Sequence, residues 1–134
     1  MLELEEKLEN GELTLEMYVE EDPRKGVPYA AKLKLGADGK VVREFLPSQR
    51  FFIKRNWIGV QVSAPVQNGD LLETRQEVSW RKDYRQYWAV WQGKLYYLGY
   101  NETPGIWGQI ILPALQGKIP LEELVEKYGR EKGG

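Results

Sequence analysis

Residues 78–100 read Val-Ser-Trp-Arg-Lys-Asp-Tyr-Arg-Gln-Tyr-Trp-Ala-Val-Trp-Gln-Gly-Lys-Leu-Tyr-Tyr-Leu-Gly-Tyr, the stretch that best indicates the fold. Side chains alternate on both sides of Gln92-Gly93, and a glycine-containing pair between two such runs favours a tight turn. The pattern predicts a β-hairpin with strands at 84–91 and 94–100. One row of its rings can face a core, which leaves a second row to be explained.

The same period of two recurs earlier in the chain and predicts further strands. Residues 12–20 alternate between apolar and mostly acidic side chains, which predicts a half-buried strand with an acidic outer face. Residues 29–35 and 40–45 flank a turn at 36–39, and residues 71–80 also alternate. Residues 49–63 alternate on both sides of Arg55-Asn56, where a bulge or a tight turn is expected. Residues 2–8 fit either a short helix or a strand. Residues 81–83 are predicted to form a charged loop.

The C-terminal part of the chain has helical spacing. Thr103 is predicted to cap a first helix, with Pro104 at its first position and Pro113 shortening it. Residues 120–128 are predicted to form a second helix, followed by a frayed tail. Strands followed by helices predict an α+β fold: an antiparallel sheet of about five to seven strands, with two short C-terminal helices packed on one face. The other face is expected to be free for a ligand or a second subunit.

Charge divides this 134-residue chain, which we expect to form a single domain, 1–134. The expected parts are an acidic N-terminal segment (1–22), a basic aromatic-rich sheet (23–100), C-terminal helices (101–128) and a tail (129–134). Net charge is −8 over residues 1–22, +8 over 23–100 and −1 over 101–134. Such asymmetry indicates contact with nucleic acid, unless the ends neutralise the middle in the fold.

The composition excludes several classes of chemistry. The chain has no cysteine and no histidine, so disulfides, thiolate catalysis, the usual zinc sites and a Ser-His-Asp triad are absent. No glycine-rich phosphate loop is present. We therefore expect no enzyme activity, no metal and no cofactor. The chain has no long apolar run and its N-terminus lacks signal-peptide order, so a cytoplasmic protein without membrane contact is expected. Abundant charge without Cys or His also suits a thermophile.

Rings and cations are interleaved in two stretches, which is the strongest functional signal. Rings can stack on unpaired bases while Arg and Lys meet the phosphates, so this pattern predicts binding of single-stranded nucleic acid. The candidate residues are Arg50, Phe52, Lys54, Arg55, Trp57, Trp80, Arg81, Lys82, Tyr84, Arg85, Tyr87 and Trp91. For any one ring, burial in a core is the commoner outcome. Trp88, Trp107, Phe51 and Tyr97 are assigned to the core.

Segments Arg50–Trp57 and Trp80–Trp91 resemble the archaeal ThermoDBP-related single-stranded DNA-binding proteins. The resemblance implies sequence-tolerant binding of single strands by a multimer, and no site residue is carried over from it. The chain departs from members with a long C-terminal leucine zipper, since only Leu121 to Tyr128 corresponds.

Two alternatives stay open for these surfaces. In one, the aromatic face joins copies into a homo-oligomer, a dimer or higher, without nucleic acid. The acidic strand at 12–22 also has two interpretations. It can mimic phosphate and cover the basic surface until nucleic acid displaces it, or it can be a solvated edge strand whose charges deter aggregation.

Overall fold

The computed structural model describes residues 4–20, 27–78 and 81–132. Its strands are β1 Glu5–Glu9, β2 Glu12–Glu20, β3 Tyr29–Leu35, β4 Val41–Phe45, β5 Ser48–Lys54, β6 Trp57–Pro65, β7 Leu71–Val78, β8 Arg81–Trp91, β9 Lys94–Tyr100 and β10 Arg130–Lys132. Its helices are a π-helix at Ile106–Ile111, α1 at Leu112–Leu115 and α2 at Leu121–Tyr128. The mainly antiparallel α+β class predicted from the sequence is confirmed.

The ten strands of the described residues form two sheets, whereas the sequence predicted one sheet of about five to seven strands. The first sheet has four strands in the order β1-β2-β6-β5, and the second has six in the order β10-β9-β8-β7-β3-β4. Every pairing between these strands is antiparallel. The chain changes sheet between β2 and β3, β4 and β5, and β6 and β7. Alternation within a strand does not show which partner it takes, so the second sheet was missed.

One core lies between the two sheets and follows from the period of two. β2 contributes Leu13, Leu15 and Met17, all fully buried, while the alternate side chains of this strand point outward. They pack with Val60 and Val62 of β6 against the facing side of the six-stranded sheet, where Trp88 is the largest buried side chain. Trp88 donates a hydrogen bond from Nε1 to the Thr74 hydroxyl, 3.0 Å away. Its predicted place in the core is confirmed.

A second core lies on the opposite side of the six-stranded sheet, under the helices. Ile106, Ile110 and Ile111 of the π-helix pack with Leu124 and Val125 of α2 against this side. The helical layer therefore packs on one side of the six-stranded sheet, which differs in detail from the predicted pair of helices on a single sheet, since the layer begins with a π-helix. The other face is covered by the four-stranded sheet, so the expectation of a face free for a ligand was wrong. Within the described part of the chain, no helix is long and apolar enough to cross a membrane.

Tight turns join several neighbouring strands and fix their registers. The predicted hairpins at 36–39 and 92–93 are both present, and Gln92 and Gly93 take the left-handed backbone angles that this short turn needs. Asn10 and Gly11 do the same between β1 and β2, which makes residues 5–9 a strand and not a helix. Arg55 also has a positive φ, of 41°, in the turn between β5 and β6.

Three further expectations need correction. Arg81-Lys82-Asp83 begins β8 and is not a loop. The tail contains β10, which pairs with β9, where fraying was expected. The first helix begins at Ile106, and the Thr103 side chain instead accepts a hydrogen bond from the backbone N–H of Tyr100 in a turn. Pro113 lies at the start of α1, where its missing N–H accompanies the change from π-helix to α-helix.

Candidate nucleic-acid interface

The predicted interface residues that the structure describes lie on two different sheets. Five lie on the β5–β6 hairpin of the four-stranded sheet: Arg50, Phe52, Lys54, Arg55 and Trp57. Six belong to β8 of the six-stranded sheet, and the side chains of four of these are described: Tyr84, Arg85, Tyr87 and Trp91. Trp80 and the side chains of Arg81 and Lys82 lie outside the described residues. The two stretches are therefore parts of two separate sheets.

The β5–β6 hairpin carries the most exposed ring of the described chain. Phe52 is 74% exposed, and Arg50, Lys54 and Arg55 around it are exposed as well. Phe52 and Arg50 pair with Ile58 and Val60, so they point to the core side of the sheet. They stay accessible while Val60 is fully buried, because β5 is an edge strand among the residues that the structure describes. The ring of Phe52 is thus accessible to a ligand at the edge of the four-stranded sheet.

The opposite face of the same hairpin also carries rings. Phe51 lies directly over Gly59, in the space that a Cβ at position 59 would fill, and it is 36% exposed. Its predicted place in the core was wrong, because its register puts it on the outer face. Trp57 is half-buried nearby and pairs with Lys54 across the hairpin. Gly59 is required for this arrangement, since any side chain there would displace the Phe51 ring.

The charge of this hairpin is of one sign. Between Glu44 and Asp70 the sequence has no acidic residue, and its charged side chains are Arg50, Lys54 and Arg55. Nucleic-acid backbones carry closely spaced negative charges, so a surface of this kind attracts them and loses attraction as salt rises. Rings on both faces with three cations between them form what we call the hairpin interface: Arg50, Phe51, Phe52, Lys54, Arg55 and Trp57.

The second predicted stretch has less accessible rings. Tyr87 is fully buried, and its hydroxyl donates to a Glu73 carboxylate oxygen 2.9 Å away, so its ring cannot stack on a base. Trp91 is half-buried and packs against the helix-side core. Tyr84 points to the other side of the sheet, with its ring 5.6 Å from that of Tyr100. The second row of rings is thus explained mainly by the helix layer, which the alternation could not show.

The helix-side face of the six-stranded sheet extends past the helices, and that part holds a buried carboxylate. Glu73 is fully buried and accepts hydrogen bonds from Nε (2.6 Å) and Nη2 (3.0 Å) of Arg43 and from the Tyr29 hydroxyl at 2.6 Å. Ala31 pairs with both Phe45 and Glu73 in the sheet. Its small side chain leaves room for Arg43 and Tyr29 to meet at the carboxylate.

Two more arginines lie on this face, farther from the helices. Arg75 and Arg85 are directly opposite each other on β7 and β8. Both donate from Nε to the same oxygen of Asp83, over 2.8 and 3.1 Å. Phe45 on β4 is 61% exposed and meets the Tyr29 ring edge to face at 5.1 Å. We call this set the arginine face: Tyr29, Arg43, Phe45, Glu73, Arg75, Asp83 and Arg85.

The hydrogen bonds on the arginine face shift several pKa values. Burial alone raises the pKa of Glu73, but the bonds from Arg43, Tyr29 and Tyr87 outweigh it, so the pKa is lowered. Asp83 behaves alike: burial opposes ionisation, and the two arginines still lower its pKa. Burial and the bond to Glu73 raise the pKa of Tyr29 to about 12. Glu73 and Asp83 are therefore held as carboxylates and Tyr29 as a neutral phenol at neutral pH.

Sequence reasoning missed most of the arginine face. Arg43, Glu73 and Arg75 were each placed on a strand face, but they are far apart in the chain and only the sheet registers bring them together. One signal was present in the sequence. Glu73 directly follows Leu71 and Leu72, two residues typical of a core, on the predicted strand. A carboxylate on such a strand requires partners.

The acidic strand β2 is fixed in the four-stranded sheet. It lies between β1 and β6, and its inner side chains Leu13, Leu15 and Met17 are fully buried. Releasing β2 would open the core, so residues 12–20 cannot act as a displaceable phosphate mimic. They do not form an edge strand either. Glu21 and Asp22, the other members of this segment, lie outside the described residues.

These features define a class of molecule: two packed antiparallel sheets with one helical layer and a basic, ring-bearing hairpin at a sheet edge. No protein-family model, curated protein sequence or solved structure matches the chain.

Proposed function

We propose that this protein binds single-stranded nucleic acid, with single-stranded DNA favoured, through the hairpin interface and without strong base preference. The observation that carries the proposal is the 74% exposed ring of Phe52, set between Arg50 and Lys54 on an edge strand. A base stacked on such a ring contributes about 1–3 kcal/mol, and stacking is possible for every base. The cations of the hairpin pair with phosphates on either side.

The exposed rings of the hairpin interface favour a single strand over a duplex. Bases in a duplex are already stacked and paired, and no basic helix is present among the described residues to enter a major groove. Phe51 and Phe52 point to opposite faces of β5, so a flexible strand can place successive bases on both sides of this edge. The likeness of Arg50–Trp57 and Trp80–Trp91 to archaeal ThermoDBP-related proteins stays a prediction.

A substitution series at Phe52 tests the proposal. Phe52→Ala and Phe52→Leu are both expected to weaken binding of a labelled oligo-dT of about 15 nucleotides by roughly 5- to 150-fold, measured by fluorescence anisotropy. Phe52→Trp is expected to retain affinity, because it keeps a ring. Equal affinity of Phe52→Leu and the unchanged protein would contradict stacking. The ring is exposed, so thermal unfolding of each variant is expected to stay close to that of the unchanged protein.

The competing function is self-association through the same edge, which one observation favours. Within the described residues, β5 has a paired strand on one side only, and an exposed edge with apolar side chains is a site for strand addition. Sedimentation velocity over a range of concentrations separates the two functions. A dimer that Phe52→Leu preserves and Phe52→Lys abolishes, together with no binding of oligo-dT, would support self-association.

A further inference from the structure

The arginine face holds two like charges in direct opposition. Arg75 and Arg85 face each other across β7 and β8, an arrangement that costs stability in an antiparallel pair unless an anion lies between them. Asp83 accepts hydrogen bonds from both, and a second Asp83 oxygen lies 3.0 Å from an Arg85 Nη2. Two guanidinium groups and one carboxylate still carry a net positive charge, since the neighbouring Glu73 carboxylate is already paired with Arg43. A further anion can therefore pair with Arg75 and Arg85.

An exposed ring lies at the other end of this face. Phe45 is 61% exposed and is buttressed by the edge-to-face contact with Tyr29. The hydrogen bond from its hydroxyl to Glu73 holds Tyr29 in place, and Tyr29 in turn supports the ring of Phe45. One strand, β3, separates β4 from β7, and Arg75 lies two residues beyond the position opposite Phe45, which puts the two backbones about 12 Å apart. The exposed ring of Phe45 and the guanidinium groups of Arg75 and Arg85, which can donate to a phosphate, thus lie on the same face of the sheet.

We propose that the arginine face is a second anion site, for a phosphate monoester attached to a planar ring, as in a nucleoside monophosphate. Arg75 and Arg85 donate to the phosphate oxygens, a pairing for which the planar guanidinium fork is suited. The ring of the ligand stacks on Phe45. Asp83 repels the phosphate but keeps both guanidinium groups in place, and the net charge of the three groups stays positive before the ligand binds. This site is separate from the hairpin interface and does not depend on it.

Calorimetric titration with three probes tests the site: inorganic phosphate, thymidine 5′-monophosphate and thymidine. The nucleotide is expected to bind about 5- to 150-fold tighter than inorganic phosphate, because it adds stacking on Phe45. Thymidine without its phosphate is expected to give no heat of binding. If all three probes give no heat, or if thymidine binds as well as the nucleotide, the site is not for a phosphate ester.

Two variants locate the binding. Arg75→Gln is expected to weaken both phosphate and nucleotide at least tenfold, while Phe45→Ala weakens only the nucleotide. The matched control is Lys34→Gln, which removes a cation that is likewise paired, with Glu44, on the opposite face of β3 and β4. Because Phe45 is exposed, its variant reports on binding even if Arg75→Gln fails to fold. Nucleotide affinity unchanged by Phe45→Ala, or lowered as much by Lys34→Gln, would overturn the proposal.

Two sources present this chemistry: a free mononucleotide and the phosphorylated 5′ end of a strand. The second source also requires the proposed function. Oligo-dT with a 5′-phosphate is expected to bind more tightly than oligo-dT without it only if strand ends reach the arginine face, and Arg75→Gln is expected to remove that difference. Phe52→Leu would still weaken both oligonucleotides. The arginine face and the hairpin interface can therefore fail independently.

Discussion

Glu73 shows how a single buried charge is tolerated in this protein. An ionised carboxylate without partners in a core is strongly destabilising. Glu73 is fully buried, yet Arg43, Tyr29 and Tyr87 all donate to its two oxygens. Those donors come from three different strands, so one carboxylate ties β4, β3 and β8 to β7. We infer that Glu73 stabilises the sheet and aligns Tyr29 beneath Phe45.

Replacing Glu73 by Gln is therefore expected to lower the free energy of unfolding. We expect a loss of about 3 kcal/mol, the lower end of the range for breaking a buried ion pair, since Arg43 keeps partial access to water. Urea unfolding followed by tryptophan fluorescence measures it. The control is Glu44→Gln, which breaks an exposed pair with Lys34 and is expected to change little. Equal effects of the two substitutions would contradict a special role for Glu73.

The same network predicts how stability depends on pH. The pKa values of Glu73 and Asp83 are lower in the folded protein than in the unfolded chain. Their contribution is complete above the unfolded values, near pH 4, and is lost as the pH falls toward the folded values, because only the unfolded state then binds the protons. Urea midpoints between about pH 5 and pH 3 are expected to fall more steeply for the unchanged protein than for Glu73→Gln. Parallel curves would show that Glu73 does not contribute.

At the scale of single elements, turns were predicted better than strand ends. The Gly36–Gly39 and Gln92-Gly93 turns were recognised because glycine at a positive φ is a local requirement. The start of β8 at Arg81 and the whole of β10 were missed, because their charged residues look like loop or tail. These segments are strands because neighbouring strands pair with their backbone. Such pairing leaves no pattern in the local sequence.

Gly59 fixes the outer face of the β5–β6 hairpin. The ring of Phe51 occupies the space of a Cβ at this position. Gly59→Ala is expected to displace Phe51 and to cost about 1–3 kcal/mol in the free energy of unfolding. The matched control is Gly108→Ala in the π-helix, where a Cβ would meet no atom within 4 Å. A Gly59→Ala protein as stable as Gly108→Ala would show that the contact with Phe51 is readily lost.

At the scale of the whole molecule, charge is separated within one sheet. The outer face of β1 and β2 is rich in glutamate, while the β5–β6 hairpin at the other edge has only basic charges. The net charge of −1 hides this division. The sequence showed an acidic N-terminal segment and a basic central part. It did not show that strands from these two parts are neighbours in one sheet. Strand order caused the difference, because β2 pairs with β6 from the basic part.

The candidate site was predictable in part for the same reason. The hairpin interface is local in sequence, so five of its six residues were identified from the interleaving of rings and cations; Phe51 was assigned to the core instead. The arginine face joins residues from β3, β4, β7 and β8, and only the sheet registers reveal it. Burial of Tyr87 and Trp91 could not be predicted either, since it depends on where the helices pack.

The salt dependence of oligo-dT binding tests the central claim most directly. If Arg50, Lys54 and Arg55 each neutralise one phosphate, the logarithm of the association constant is expected to fall with the logarithm of salt concentration with a slope of about −2. Arg50→Gln is expected to reduce that slope by about 0.7, whereas Lys118→Gln, on the helix side, leaves it unchanged. Arg55→Gly gives the same reduction while keeping the turn, since glycine accepts its positive φ. A slope near zero, or one that these hairpin substitutions do not alter, would contradict binding at the hairpin interface.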